Sequence, residues 1–160
     1  MYKRQEYDNV NYNYSGKLYL EIIPQSFSII IKKNISLNQL RFFQGSNIED
    51  KINQISISVS IKRNQLTAYK AKKITSAINL SKTNFYESDK YWEKIIPKDN
   101  YFIIERDEFY ILRSKENIKI KNNQAAELEP FKDSFGNFRV HYAGFFDPGF
   151  GNNKLGTPAV

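Results

Sequence analysis

The segment Phe138-Arg139-Val140-His141-Tyr142-Ala143-Gly144-Phe145-Phe146-Asp147-Pro148-Gly149-Phe150-Gly151 constrains this chain most. Its aromatic and β-branched residues read as a strand, which sends successive side chains to opposite faces. Asp147-Pro148-Gly149 then stops the strand. Proline fixes φ, glycine accepts a positive φ, and the aspartate carboxylate is placed at the strand's end. On these residues alone, an ordinary hydrophobic strand closed by a turn accounts for the pattern equally well, because turn aspartates usually bond their own backbone.

Other segments carry the same short-strand signature. Lys17–Ile23, Ser26–Ile31 and Leu37–Phe43 are expected strands with turn signals between them. From Gln54 to Lys62, Ile55, Ile57, Val59 and Ile61 alternate with Ser56, Ser58 and Ser60, a period of two that predicts a half-exposed strand. Leu66–Ala71 is expected to pair with it across Arg63-Asn64-Gln65. Tyr101–Glu105 and Glu108–Arg113 flank Arg106-Asp107 as a hairpin, and Ala125–Leu128 is a further strand. Only Asp89–Glu93 looks helical. Many short, evenly spaced strands predict an all-β sandwich or compact barrel.

The absent residues exclude several chemistries. With one His and no Cys, the chain cannot assemble the His/Cys or three-Cys zinc site of the zinc nucleobase deaminases, so no zinc and no other protein-held metal is expected. There is no Gly-x-Ser-x-Gly elbow and no Gly-x-x-x-x-Gly-Lys phosphate loop. The longest apolar candidate, Phe27–Ile31, stops at Lys32-Lys33, far short of the roughly eighteen residues that span a bilayer. No signal peptide is visible, and the lack of cysteine is compatible with a cytoplasmic location. The net charge is +7, but the lysines are scattered rather than clustered, so a nucleic-acid polymer is not the expected partner.

Two sets of residues together resemble a known family. Asp147-Pro148-Gly149-Phe150 after a strand resembles the nucleotide motif of the dCTP deaminase and dUTPase superfamily. Tyr14-Ser15-Gly16-Lys17-Leu18-Tyr19-Leu20-Glu21 resembles the segment that comes after that motif in the family, and Leu37-Asn38-Gln39-Leu40-Arg41-Phe42 resembles the family's closing strand. The later part of the motif set thus comes first in the chain. The order is similar to that of double-length bacterial dCTP deaminases, in which two related β-domains share a chain. On that resemblance residues 1–44 are the C-terminal part of one copy and residues 45–160 most of a second, the boundary falling at Gln44-Gly45-Ser46-Asn47. The chain then reads as a fragment, inactive alone.

The resemblance implies a β-clip fold, a distorted jelly roll, and hydrolysis of dCTP to dUTP and ammonia. Glu21 would be the catalytic base, taking a proton from the water that attacks C4 of cytosine and then helping to protonate the departing ammonia. Taken alone, Glu21 is a strand glutamate facing solvent. Its place after Leu18-Tyr19-Leu20 offers the partial burial that moves a carboxyl toward general-base work. Asp147 would accept a hydrogen bond from the deoxyribose 3′-hydroxyl, with backbone groups at Gly149 and Phe150 reading the base. Gln39 matches a glutamine that shapes the nucleotide site, although alone it is a surface amide. His141 reads first as a hydrogen-bonded strand histidine. Arg139, two residues before it, shares its face and would join it in a polar cluster for phosphate.

Magnesium is expected only on the substrate triphosphate, and a homo-oligomer with a trimer-like arrangement of copies is implied. Two features depart from the family pattern. Asn11-Tyr12-Asn13 replaces Asp-Pro-Gly in the first copy, and Glu129–Phe135 holds no Arg-Ser-Ser. Two alternatives stay open: a dUTP diphosphatase of the same fold, and a non-catalytic β-domain that serves assembly or regulation.

Overall fold

The computed structural model describes residues 10–38, 54–73, 76–128, 144–153 and 155–160. The expected boundary at residues 44–47 lies outside them. Among the described residues, nine short strands and one helical turn occur in chain order: β1 Ile29–Ile30, β2 Ala68–Ala71, β3 Ile78–Asn79, α1 Ser88–Tyr91, β4 Trp92–Ile95, β5 Tyr110–Leu112, β6 Asn117–Ile118, β7 Ala126–Glu127, β8 Phe145–Phe146 and β9 Thr157–Pro158. The expected all-β class is what the chain forms.

The largest sheet has the order β4-β2-β5 and is antiparallel throughout. Its middle strand places Ala68 and Ala71 inside. Such small side chains let the covering groups approach closely. Beside this sheet, Phe27 packs edge-on against Tyr91 and Trp92, with ring centroids 5.5 and 5.1 Å away, and Trp92 continues to Phe109. Edge-on rings set the positive rim of one against the negative face of the other. A parallel pair, β1 with β3, ties the N-terminal segment to the body: the Ile78 N–H donates to the Ser28 carbonyl at 2.8 Å.

A second core lies at the other end of the chain. Ile118, Ile120 and Ala159 are buried, and Ile57, Ala126, Phe146 and Phe150 pack against them. Burial alternates from Asn117 to Ile120, as a strand with one inward face requires. β6 pairs with β9, and β7 with β8.

Several expected strands differ in extent or in partner. Residues 17–23 have an apolar composition but form no strand. Leu18, Tyr19, Leu20, Ile22 and Ile23 are all exposed. Period-two composition favours a strand only when a partner covers its apolar face and pairs its backbone. From 54 to 62 the alternation survives as one bridge, Val59 to Ser114, and Ile57 alone of its four apolar residues packs into the core. The turn at Arg63-Asn64-Gln65 is present, with Asn64 at φ 57°. Yet Ala68–Ala71 pairs with β4 and β5 rather than with the segment before the turn. Tyr101–Glu105 likewise stays irregular, although Asp107 turns with φ 57° as its position demands.

Segment 54–62 is held instead by a charged bond. The Ser58 N–H and hydroxyl both donate to the Glu116 carboxylate, each at 2.7 Å. Backbone bonds flank it, from Ser60 N–H to the Arg113 carbonyl and from Lys115 N–H to the Ser58 carbonyl. The Ser58 side-chain bond, then its backbone bond, hold the Glu116 carboxyl below its ordinary value of 4.5. A carboxyl depressed by folding contributes stability that is complete above its unfolded value and lost as pH falls through the lower folded value. Stability should therefore fall with acidification below about 4.5 in wild type. Glu116→Gln should flatten that part of the profile, measured by urea denaturation across pH. An unchanged acid limb would show that this bond does not anchor the segment.

Candidate functional site

Asp147-Pro148-Gly149-Phe150 forms a tight turn closed by the Phe150 N–H donating to the Asp147 carbonyl at 3.0 Å. Proline at the second position and glycine with φ 84° at the third are what a type II turn requires. A second bond, Asn152 N–H to the Gly149 carbonyl at 3.0 Å, continues the coil of the chain. Asp147 and Pro148 are exposed, whereas Gly149 and Phe150 are half-buried.

The turn is fixed to β6 and to the residues just after it. The Ile120 N–H donates to the Phe150 carbonyl at 2.9 Å. The Phe150 ring packs into the core beside Phe146, with centroids 4.9 Å apart. Gly151, at φ 65°, sits against the Ile118 carbonyl so closely that a Cβ would collide with that oxygen. Gly156, at φ 74°, meets the same carbonyl, its Cβ position lying 3.0 Å from the oxygen. A half-buried aromatic, one backbone bond and two glycines therefore set the level at which Asp147 stands. Phe150 faces the core with its ring, which leaves its backbone as the part that takes part in the turn.

The N-terminal segment repeats this geometry with different residues. The Tyr14 N–H donates to the Asn11 carbonyl at 3.1 Å, and Asn13 adopts φ 61°. Asparagine tolerates the left-handed region better than most residues, so Asn11-Tyr12-Asn13-Tyr14 makes the bond that Asp147-Pro148-Gly149-Phe150 makes. Tyr14 then folds over Gly16 and donates its hydroxyl to the Lys17 carbonyl at 2.6 Å. A Cβ on Gly16 would lie 2.7 Å from the Tyr14 hydroxyl. The sequence shows the loss of Asp-Pro-Gly here, but the backbone of the turn is preserved. The signal for it is an asparagine where φ must be positive.

The structure brings Asp147, Gly149 and Phe150 together in one turn. Glu21 lies on the separate segment that follows Tyr14. It is exposed, so the partial burial expected of it is absent. Gln39, Arg139 and His141 lie outside the described residues. Among the described residues, no group of three His, Cys, Asp or Glu side chains is placed to hold a metal ion.

Two cavities adjoin the end of β5. One, of about 470 Å³, is lined by Arg113, Asn117, Asn153, Leu155, Gly156 and Pro158 and lies beside the chain that leaves the turn. The other, of about 280 Å³, shares Arg113 with it and is otherwise lined by Ser60, Lys62, Gln65, Leu66, Ser114 and Lys115. Sequence reading singles out neither Arg113 nor its neighbours, because no motif marks them.

A family model for the N-terminal domain of 2′-deoxycytidine 5′-triphosphate deaminase matches residues 2–46, and one for the C-terminal domain matches residues 28–160. The chain belongs to the 2′-deoxycytidine 5′-triphosphate deaminase family. Among solved structures, the 2′-deoxycytidine 5′-triphosphate deaminase from Agrobacterium tumefaciens is similar, with 36% sequence identity and a TM-score of 0.62. The match covers 69% of this chain and 34% of that one, so this chain spans about a third of the relative's length. No curated protein matches. The likeness extends the all-β description to the dUTPase-like fold of this deaminase family.

The contact between Gly151 and Ile118 makes a direct prediction. Gly151→Ala adds a Cβ at a left-handed φ and against a backbone oxygen that cannot swing away. Such strain costs about 1–3 kcal/mol. Thermal or urea unfolding should show that loss, whereas Gly149→Ala, whose Cβ would face only the Asn122 side chain at 3.1 Å, should lose less. Equal losses would mean that φ alone matters and that the Ile118 contact does not.

Proposed function

We propose that this sequence serves an enzyme that hydrolyses dCTP to dUTP and ammonia in pyrimidine deoxynucleotide metabolism. The observation that carries the reading is the docked turn within a deaminase family match, with Asp147 exposed at its tip. In this reading the Asp147 carboxylate accepts a hydrogen bond from the deoxyribose 3′-hydroxyl. Backbone groups at Gly149 and Phe150 meet the base. Gln39, Arg139 and His141 complete the nucleotide surroundings. The activity proposed is that of a protein with the solved relative's length, of which this chain spans 34%.

Glu21 is the proposed general base. Its carboxylate takes a proton from water as the water oxygen bonds to C4 of cytosine. The C4=N3 π pair moves onto N3 as the oxygen adds. The C4–N bond to the amino group then breaks, the proton held by Glu21 leaves with the ammonia, and the proton of the new hydroxyl passes to N3, giving the C4 carbonyl of dUTP. The exposed tract Leu18, Tyr19, Leu20, Ile22 and Ile23 supports a homo-oligomer in which another copy covers it. Such cover would place Glu21 in a drier setting than it has in one chain, and a trimer-like arrangement of copies is the form we propose. Magnesium would arrive on the substrate triphosphate, where it neutralises charge, since the described residues offer no cage for it. Among the described residues no helix is long and apolar enough to cross a membrane. With the absence of cysteine, this supports a cytoplasmic location.

The proposed architecture is a first copy over residues 1–44 and a second over residues 45–160. The matching turns at Asn11–Tyr14 and Asp147–Phe150 support that division. The residue pair Leu20-Glu21 favours ring deamination over attack on the α-phosphate, the reaction of the same-fold dUTP diphosphatases.

Two variants, made in a chain extended to the relative's length, test the two roles separately. Asp147→Ala should weaken a non-hydrolysable dCTP analogue by about 1.5–3 kcal/mol, the range for a hydrogen bond to a charged group. It should leave the corresponding 3′-deoxy analogue almost unaffected. Glu21→Gln should lower ammonia release from dCTP by about a hundredfold to ten-thousandfold while binding stays close to wild type. An equal loss for both analogues would make Asp147 a turn residue only. Near-normal turnover of the Gln variant would remove Glu21 from the chemistry.

A further inference from the structure

We propose that the 280 Å³ cavity lined by Ser60, Lys62, Gln65, Arg113, Ser114 and Lys115 is a site for a small phosphate-bearing anion, separate from the Asp147 turn. Three cations and two hydroxyl residues line it together with Gln65 and Leu66, and no carboxylate does. Among the described residues, none of the three cations forms an ion pair with a carboxylate, whereas Lys70 pairs with Glu105, Lys73 with Glu108, and Lys94 with Asp89. The nearby carboxylate, Glu116, accepts two hydrogen bonds from Ser58 and acts on Lys115 only through space, without an ion pair. Like charges brought to one cavity repel one another, and a bound anion removes that cost.

The cavity is also held by backbone on both sides. The Ser60 N–H donates to the Arg113 carbonyl at 2.9 Å on one wall. On the other, the turn that carries Lys62 closes with the Gln65 N–H on the Lys62 carbonyl at 3.2 Å. Ser114 is buried and fixed, its hydroxyl donating to the Glu116 carbonyl at 2.7 Å and accepting from the Ala159 N–H at 2.9 Å. The cations therefore stand on a formed floor rather than on a loose tail. At about 280 Å³ the space is just below the usual range of roughly 300–1,000 Å³ for small-molecule sites. That suits a phosphate or diphosphate group better than a whole nucleoside triphosphate. Arginine supplies the planar fork that phosphate oxygens accept, and the lysines add point charge.

The probe is inorganic pyrophosphate, titrated calorimetrically into the chain at low ionic strength. Arg113→Gln and Lys62→Gln should each weaken binding by about tenfold to a hundredfold, as expected for loss of a charged hydrogen bond. Arg113→Lys should recover part of the affinity, and binding should weaken as salt is raised. Both positions are exposed, and thermal unfolding of the unliganded variants near the wild-type temperature establishes that they fold. Asp147→Ala should leave pyrophosphate binding unchanged. If all these variants bind pyrophosphate as wild type does, or if wild type does not bind it at all, the site is wrong. If Asp147→Ala loses as much as Arg113→Gln, the anion occupies the nucleotide turn and a separate site is excluded. Repeating both titrations, with pyrophosphate and with the dCTP analogue, in a chain extended to the relative's length separates this proposal from the deaminase reading, on which it does not depend. Pyrophosphate binding with no dCTP binding contradicts only that reading. dCTP binding that is sensitive to Asp147, with pyrophosphate binding insensitive to Arg113, contradicts only this one.

Discussion

One carbonyl oxygen, that of Ile118, organises the C-terminal half of this protein. Two glycines, Gly151 and Gly156, close on it from different parts of the chain, and both carry a positive φ that other residues resist. The approach of Gly151 is possible only because it has no Cβ, and a Cβ on Gly156 would be tight against the same oxygen. Between them the chain turns back, and the Ile120 N–H takes the Phe150 carbonyl as its acceptor. Its backbone bond on one side and the packing of its half-buried ring beside Phe146 on the other hold Phe150 in place. Asp147 stands three residues before it across a closed turn. The placement of the exposed carboxylate is thus a consequence of packing on β6.

The N-terminal copy of the turn shows how much of that device is backbone and how much is side chain. Asn13 supplies the positive φ that Gly149 supplies later, and the closing bonds are 3.1 and 3.0 Å long. What differs is the group at the first position, an amide at Asn11 and a carboxylate at Asp147. A neutral amide offers a weaker acceptor to a hydroxyl than a charged carboxylate does. The two turns therefore present acceptors of different strength at the same position. The exposed apolar run after the first turn and the cation-lined cavity before the second are further differences between the two ends.

Local chemistry is legible in the sequence wherever one or two residues decide the outcome. Pro148 and Gly149 dictate a type II turn, and Asp107 and Asn64 sit where the chain needs a positive φ, so those turns form as their residues require. Helical content near Asp89 is likewise local and reappears as Ser88–Tyr91. Partner choice is not legible. Ala68–Ala71 is followed across sequence by two equally suitable strands, and nothing in its own residues says that it will pair with Trp92–Ile95 and Tyr110–Leu112 instead of Gln54–Lys62. The Leu18–Ile23 tract carries strand composition, but composition does not supply the surface that would cover it. Glu21 is consequently exposed where its apolar neighbours suggest half-burial. Arg113, Lys62 and Lys115 carry no sequence signal because their cavity is assembled from two segments distant in sequence, and no spacing records it.

The dependence of the turn on β6 can be measured at a single amide. Hydrogen exchange at the Ile120 N–H reports directly on its bond to the Phe150 carbonyl, and the Ala71 N–H, bonded to the Phe109 carbonyl at 2.9 Å, gives an internal reference in the main sheet. If the turn is fixed to β6, Ile120 should be protected to a degree comparable with Ala71, and both should far exceed the Tyr14 amide of the exposed first turn. Exchange of Ile120 as fast as Tyr14 would contradict the account, because the segment carrying Asp147 would then detach from β6 without the rest of the fold opening.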